Sequence, residues 1–252
     1  WAFATLVVHA LRLVHPFFGD VVEAGEPELE DEAFAARLPW IEHEADRQNQ
    51  SSRGLPAKSV LTKGLFELAR RTFEPEGHPA RERPGVGAWV ERLHDAADRT
   101  RRCGGCEGTC YMTRRTCPWC DHPDEGTVHV EIHRWEPGRG LAVGALPVGV
   151  IALSARESRT LDARLCEAET GLVGRALRGV LSARERGVFA LPEAMVRWFT
   201  SAPDDTRGER AREVSARGVT LPVEPTGWRL HFGPMDKPHR VAVLAEVRHA
   251  RA

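Results

Sequence analysis

VHVEIHRW, residues 128–135, alternates: Val128, Val130 and Ile132 fall on one face, and His129, Glu131 and His133 on the other. A period of two marks a half-buried strand, because successive side chains of an extended chain point to opposite sides. Three runs downstream carry related signatures. LPVGVIALS (146–154) is an apolar β-rich run, GWRLHF (227–232) alternates again, and RVAVLAEV (240–247) closes the set. GPMDKPH (233–239) has the proline and glycine content of a hairpin loop. Between these runs, EAETGLVGRALRGVLSARERG (167–187) and PEAMVRWFTSA (192–202) read as helices, with edge structure as the alternative for Leu165 to Gly187. Residues 125–252 are thus expected to form an α+β domain with antiparallel strands. The His129, Glu131 and His133 face is expected in solvent, since an antiparallel sheet commonly buries one side only.

Upstream, CGGCEGTCYMTRRTCPWC (103–120) holds five of the six cysteines. Cys103 and Cys106 form one C-x₂-C pair, Cys117 and Cys120 a second, with ten residues between the pairs. Zinc takes four tetrahedral thiolates, and a C-x₂-C turn brings two sulfurs onto one ion, so the spacing predicts a structural zinc ribbon over residues 99–124. The intervening EGTCYMTRRT is expected to be its β-hairpin. A thioredoxin-like redox pair needs a C-x-x-C opening a helix in a βαβ setting, which neither pair has. A catalytic zinc keeps one position open, whereas four cysteines close the sphere. Cys110 is left over as a buried small hydrophobe, a substitute ligand or an exposed thiol, and Cys166 reads as a core residue. Arg99, Arg101, Arg102, Arg114 and Arg115 make nucleic acid a conceivable partner, with sparse aromatic residues and the acidic DHPDEG (121–126) against it.

Residues 1 to about 100 read as helical. Phe3, Leu6, Val7, Ala10, Leu11 and Val14 recur at helical spacing, as do Val60, Leu61, Leu65, Phe66, Leu68 and Ala69, then Val86, Trp89, Val90 and Leu93. His15-Pro16 ends the first run. The acidic segment 23–56 is expected to be a long ordered loop with one short helix around 30–38.

These helical runs resemble a known family. WAFATLVVHALRLVHPFFG (1–19) is similar to the helix F region of bacterial eukaryotic-like serine/threonine protein kinases, with Trp1 at the helix start and Pro16, Phe17 and Gly19 in the following turn. LFELARRTF (65–73) and ARERPGVGAWVERL (80–93) resemble the end of that family's C-lobe, and IEHEADRQN (41–49) and CPWC (117–120) match further elements in order. The resemblance implies a helical C-lobe remnant over residues 1–98, with Arg83 as a structural ion-pairing arginine. It also implies that ATP and magnesium belong to an intact parent, because the glycine-rich loop, the lysine and both catalytic aspartates of that family have no counterpart here. No catalytic residue carries over.

Composition bounds the rest. With 35 basic and 36 acidic residues among 252, a net charge of −1 and 42% hydrophobic residues, the chain has no global attraction to nucleic acid or membrane. WAFATLVVHALRLVHPFF fits neither a signal peptide nor a membrane span, which places the thiols in the cytoplasm. The expectation is therefore a multidomain α+β chain. It would be the non-catalytic, zinc-ribbon-bearing tail of a kinase-like protein, partnered by that protein's missing N-terminal part or another protein; the alternative is a free-standing, non-catalytic zinc-ribbon adaptor, with nucleic acid as a conceivable partner.

Overall fold

The computed structural model describes residues 1–74, 83–124, 126–142, 144–155, 157–167, 176–184, 187–224 and 226–248. It falls into two compact units, 1–97 and 98–252.

The first unit holds α1 (Ala2–Arg12), α2 (Asp20–Glu23), α3 (Pro27–Phe34), α4 (Ala57–Val60), α5 (Lys63–Phe73) and α6 (Val86–Asp98), the last ending at the boundary. Prolines 16, 27, 39 and 56 punctuate the chain, and no described helix exceeds 13 residues. Thr62 caps α5 by accepting a bond from the Leu65 amide at 3.2 Å. The core gathers Val8, Phe17, Trp40, Leu65, Leu68, Phe73 and Trp89. In α1 the buried stripe is Ala4, Val8 and Arg12, not the expected Phe3, Leu6 and Val7 face; Phe3 and Leu6 are exposed. The reason is polar: the buried Arg12 guanidinium meets Glu42 at 2.5 Å, and its carbonyl accepts from the Leu55 amide at 2.7 Å. The segment expected as a loop is pinned by Asn49. Its amide donates to the carbonyls of Phe17 and Pro39 at 2.9 and 2.8 Å and accepts from the Gly19 N–H at 3.0 Å.

The second unit opens with a small hairpin, β1 (Thr100–Arg102) on β2 (Thr109–Tyr111). A seven-stranded antiparallel sheet follows, built from β3 (Thr127–Glu136), β4 (Gly140–Leu141), β5 (Gly149–Ser154), β9 (Phe199–Ser201), β10 (Arg212–Glu213), β12 (Arg229–His231) and β13 (His239–Arg248), in the order β10-β9-β12-β13-β3-β4. β5 pairs with the first part of β3, alongside β4 on its last part. The other sheet is β11-β8-β7-β6, from β6 (Ser158–Asp162), β7 (Leu177–Arg184), β8 (Gly187–Pro192) and β11 (Val219–Pro222). A four-residue helix, α7 (Ala163–Cys166), follows β6. One continuous core joins the sheets: Val128, Val130 and Ile132 of β3 with Ile151, Leu153, Leu181, Val188, Ala190, Trp198, Leu221, Leu230 and Ala242.

The expected class is thereby overturned. The chain is predominantly antiparallel β, with thirteen strands in three sheets among the described residues, and is not of the α+β class led by a helical kinase-like lobe. The two helices expected downstream are not formed where described. Residues 177–184 are β7, whose buried residues are Gly179, Leu181 and Ala183, at period two; 192–202 is a turn followed by β9. Helical spacing was satisfied there only by counting Leu177 and Val180 together with small residues. Gly179 settles the matter sterically, since a Cβ on it would lie 2.2 Å from the Trp198 ring. Residues 168–175 and 185–186 of the first of these stretches, and 80–82 of ARERPGVGAWVERL, lie outside the described residues.

The four strand-like runs became β3, β5, β12 and β13, but β3 buries both faces. His129 is 8% exposed and Trp135 0%, so the solvent-facing expectation for His129 is corrected. At its Trp135 end that second face is covered by later loops, where a Cβ on Gly208 would meet both Met235 and the Trp135 ring; towards His129, Met112 packs on Val150 and Ala152, the β5 residues opposite Glu131 and His129. Among the described residues, no helix is long and apolar enough to cross a membrane.

Candidate metal centre

The two cysteine pairs sit on two turns of the same construction. In the first, the Cys103 amide donates to the Gly108 carbonyl at 2.9 Å and the Glu107 amide to the Cys103 carbonyl at 3.0 Å. In the second, the Cys117 amide donates to the His122 carbonyl at 2.8 Å and the Asp121 amide to the Cys117 carbonyl at 3.0 Å. The residue after each second cysteine is left-handed, Glu107 at φ 58° and Asp121 at φ 57°. The second turn packs on two glycines of the first: a Cβ on Gly105 would meet the His122 ring at 2.8 Å, and one on Gly108 the Trp119 ring at 2.9 Å. Gly105 and Gly108 of CGGCEG are therefore spacers that let the knuckles close on each other.

This differs from the expected hairpin between the pairs. β2 pairs backward with β1, upstream of Cys103, with Arg101 opposite Cys110. The second knuckle closes instead through a bridge between Thr116 and Pro123. The hairpin is tied to β5 through Arg102 and Ser154, where the Arg102 amide donates to the hydroxyl at 3.1 Å, and Met112 packs on Val150 and Ala152.

The ligand atoms of Cys103, Cys106, Cys117 and Cys120 all lie within 4.8 Å of one another. Cys103 and Cys120 are 3.6 Å apart, Cys106 and Cys117 3.7 Å. Four sulfurs at about 2.3 Å from one ion sit about 3.8 Å apart along the tetrahedron's edges. The set could hold a metal ion such as zinc. Burial raises the Cys103 thiol, but the Cys106 and Gly105 amides and the neighbouring Cys117 and Cys120 outweigh it and bring it down to about 6. Of the two buried thiols outside the set, Cys110 is pushed up to about 11, chiefly by burial, and Cys166 is also raised, again by burial. Both stay protonated, as apolar fillers do.

Arg101, one of the basic residues of the segment, is not on the surface. Its side chain is 2% exposed, its Nε lies 3.5 Å from Asp124, and it donates to the Arg114 carbonyl at 3.3 Å. Asp124 in turn accepts from Thr127 at 2.9 Å, while its amide donates to the Arg115 carbonyl at 2.8 Å. This pair straps the second knuckle to β1.

Trp1, Phe17 and Arg83 converge within the first unit. Trp1 stacks on Phe17 with centroids 5.3 Å apart, and Arg83 lies 5.0 Å over the Trp1 ring. Pro16 is buried and its carbonyl accepts from Ile41 at 2.8 Å. None of these four is part of the thiol cluster.

A second polar array escaped sequence reasoning. The Ser201 hydroxyl lies 2.9 Å from His231 Nε2, His231 Nδ1 is 3.0 Å from His239 Nε2, and His239 Nδ1 is 2.8 Å from the Lys237 carbonyl. Because a carbonyl only accepts, His239 carries its proton on Nδ1. His231 then donates from Nδ1, and Ser201 donates to its Nε2. All three residues are buried, and Trp135 packs edge-on against His231. Burial lowers both imidazoles, His231 to about 3. The only signal was strand parity, which puts His231 and His239 on the face away from Leu230 and Ala242.

No protein-family model, curated protein or solved structure matches this chain.

Proposed function

We propose that this chain is a non-catalytic, zinc-stapled β protein that works by presenting its surface to a protein partner. The observation that carries the metal part is the sulfur geometry, four thiols from two like turns with contacts of 3.6 and 3.7 Å. Sulfur donors favour zinc over calcium or magnesium, which take oxygen. Four protein donors fill a tetrahedron and leave no position for an activated water, so the ion's contribution is to folding. The adaptor part is supported by the tip between β8 and β9. Met195 there is fully exposed on a left-handed backbone at φ 71°, an apolar residue held outward at a conformational cost. Six cysteines without a disulfide fit a reducing, cytoplasmic setting.

Metal analysis of protein purified without chelator tests the reading. About one zinc per chain is expected, and cobalt substitution should give the absorption of a tetrahedral thiolate site. Less than about half an equivalent would overturn it.

A second reading is that residues 1–95 serve a serine/threonine kinase, whose separate catalytic part would bind ATP and magnesium. It is supported by the convergence of Trp1, Phe17 and Arg83, three positions that the resemblance singles out. This chain alone should then transfer no phosphate from labelled ATP, while adding the catalytic part should produce a stable complex; phosphorylation by the isolated chain sinks this reading.

A further inference from the structure

The four thiols divide by access. Cys106 and Cys120 are exposed, and Cys103 and Cys117 are buried. Each exposed sulfur touches a buried one from the opposite pair, Cys120 with Cys103 and Cys106 with Cys117. A thiolate that solvent reaches is one that an oxidant reaches, and a second thiol held against it can resolve the product. Resting on the reading of the cluster as a metal–thiolate centre, we propose that Cys106 and Cys120 are peroxide-modification sites. Their oxidation expels the metal and links the knuckles through Cys103–Cys120 and Cys106–Cys117 disulfides.

The chemistry balances in two steps. The exposed thiolate attacks one oxygen of hydrogen peroxide; an S–O bond forms, the O–O bond breaks and hydroxide leaves. The buried thiolate then attacks the sulfenic sulfur; the S–S bond forms, the S–O bond breaks and a second hydroxide leaves. In forming each disulfide a pair of thiolates gives two electrons to one peroxide, so the whole centre consumes two peroxides. Zinc exchanges no electron. It loses its thiolate donors and dissociates.

Each pair of sulfurs must close from its present contact to about 2.05 Å. The movement falls to Cys106 and Cys120, the exposed member of each pair, while Trp119 and His122 of the second knuckle, packed on Gly108 and Gly105 of the first, hold the two knuckles together. The strap from Arg101 to Asp124 and the β1–β2 pairing do not involve the ion. The oxidised, metal-free ribbon therefore keeps its fold, with covalent bonds in place of the metal.

The test uses the zinc-loaded full chain and hydrogen peroxide. Zinc release is followed with a chromogenic chelator, thiols are counted, and a tryptic digest is mapped without reduction. Cys103, Cys106 and Cys110 share the peptide 103–114, whereas Cys117 and Cys120 lie on 116–134. Cross-knuckle disulfides therefore join the two peptides, and bonds within the C-x₂-C pairs leave them separate. The expected result is loss of four of the six thiols, one zinc released per four thiols lost, joined peptides, and recovery of metal binding after a dithiol reductant. Cys106→Ser should retain the Cys103–Cys120 link, and Cys110→Ser should behave as the unmodified chain. Separate peptides, or zinc retained with all four thiols still alkylatable after unfolding, would overturn the proposal. Protein that carries no zinc as purified but yields joined peptides defeats the metal reading alone; zinc-bearing protein inert to peroxide defeats this proposal alone.

Discussion

Glu107 and Asp121 occupy equivalent places in the two knuckles, each following the second cysteine of its pair in a left-handed conformation within one degree of the other, φ 58° against 57°. The two side chains do not bear that conformation equally. Aspartate tolerates it through local hydrogen bonding, whereas glutamate meets a cost of about 1–2 kcal/mol. Glycine removes the cost but adds about 0.5–1 kcal/mol of unfolded-state freedom. Glu107→Gly should therefore stabilise the protein by about 0–1.5 kcal/mol, whereas Asp121→Gly should cost up to about 1 kcal/mol. Denaturant melts of the zinc-loaded proteins decide this; a clear loss for Glu107→Gly would contradict it.

Cysteine substitutions should separate ligands from fillers. Cys103→Ser or Cys117→Ser should lower bound zinc to well under half an equivalent, whereas Cys110→Ala should keep it near one. The cost of Cys110→Ala should appear as about 1–2 kcal/mol of stability, from lost packing of a buried thiol opposite Arg101. Zinc content and thermal melts on the same samples read both quantities.

The histidine chain predicts a pH dependence whose sign follows from its protonation. His231 and His239 are neutral in the fold with lowered pKa values, His231 at about 3, while in the unfolded chain each titrates near 6.5. Between these values the unfolded state binds more protons, so stability is full above about pH 6.5 and falls as pH drops. For His231 alone the limiting slope is about 1.4 kcal/mol per pH unit. Unfolding free energies at pH 7.5, 6 and 5 should show this loss. His231→Gln should be less stable at pH 7.5 and flatter below 6.5; an unchanged slope in the variant would remove the histidines as its source.

Gly179 and Trp198 make a steric prediction. Gly179→Ala drives a methyl into the indole and the Leu191 carbonyl, the nearest atoms being 2.2 and 2.5 Å away. Overpacking of this kind costs about 1–3 kcal/mol. Trp198→Phe in the same chain should recover part of that loss, and a double-mutant cycle measures the coupling.

Much of this fold was legible wherever local period and local burial agree. VHVEIHRW and RVAVLAEV lie in the two longest strands and pair with each other from His239 opposite Trp135 onward, and the C-x₂-C spacing named the four clustered thiols. Reading failed where burial is decided by distant chain. His129 alternates like a solvent-facing residue, yet its face is covered, as the approach of Gly208 and Met235 to Trp135 illustrates. Leu177 to Arg184 carries its strand period partly on Gly179 and Ala183, residues too small to register as apolar. Arg101 has the sequence look of a surface cation, and only the return of Asp124 across the ribbon explains its burial.

The placement of β13 governs how the second unit comes into being. β13 lies inside the large sheet, hydrogen-bonded to β12 on one side and to β3 on the other, and of the thirteen described strands it is the last in chain order to leave the ribosome. Until residues 239–248 emerge, β3 and β12 face each other across a missing rung, their apolar faces open to chaperones and to other nascent chains. The ribbon, by contrast, pairs β1 with β2 over a few residues, so metal capture can precede completion of the sandwich by most of the unit's synthesis.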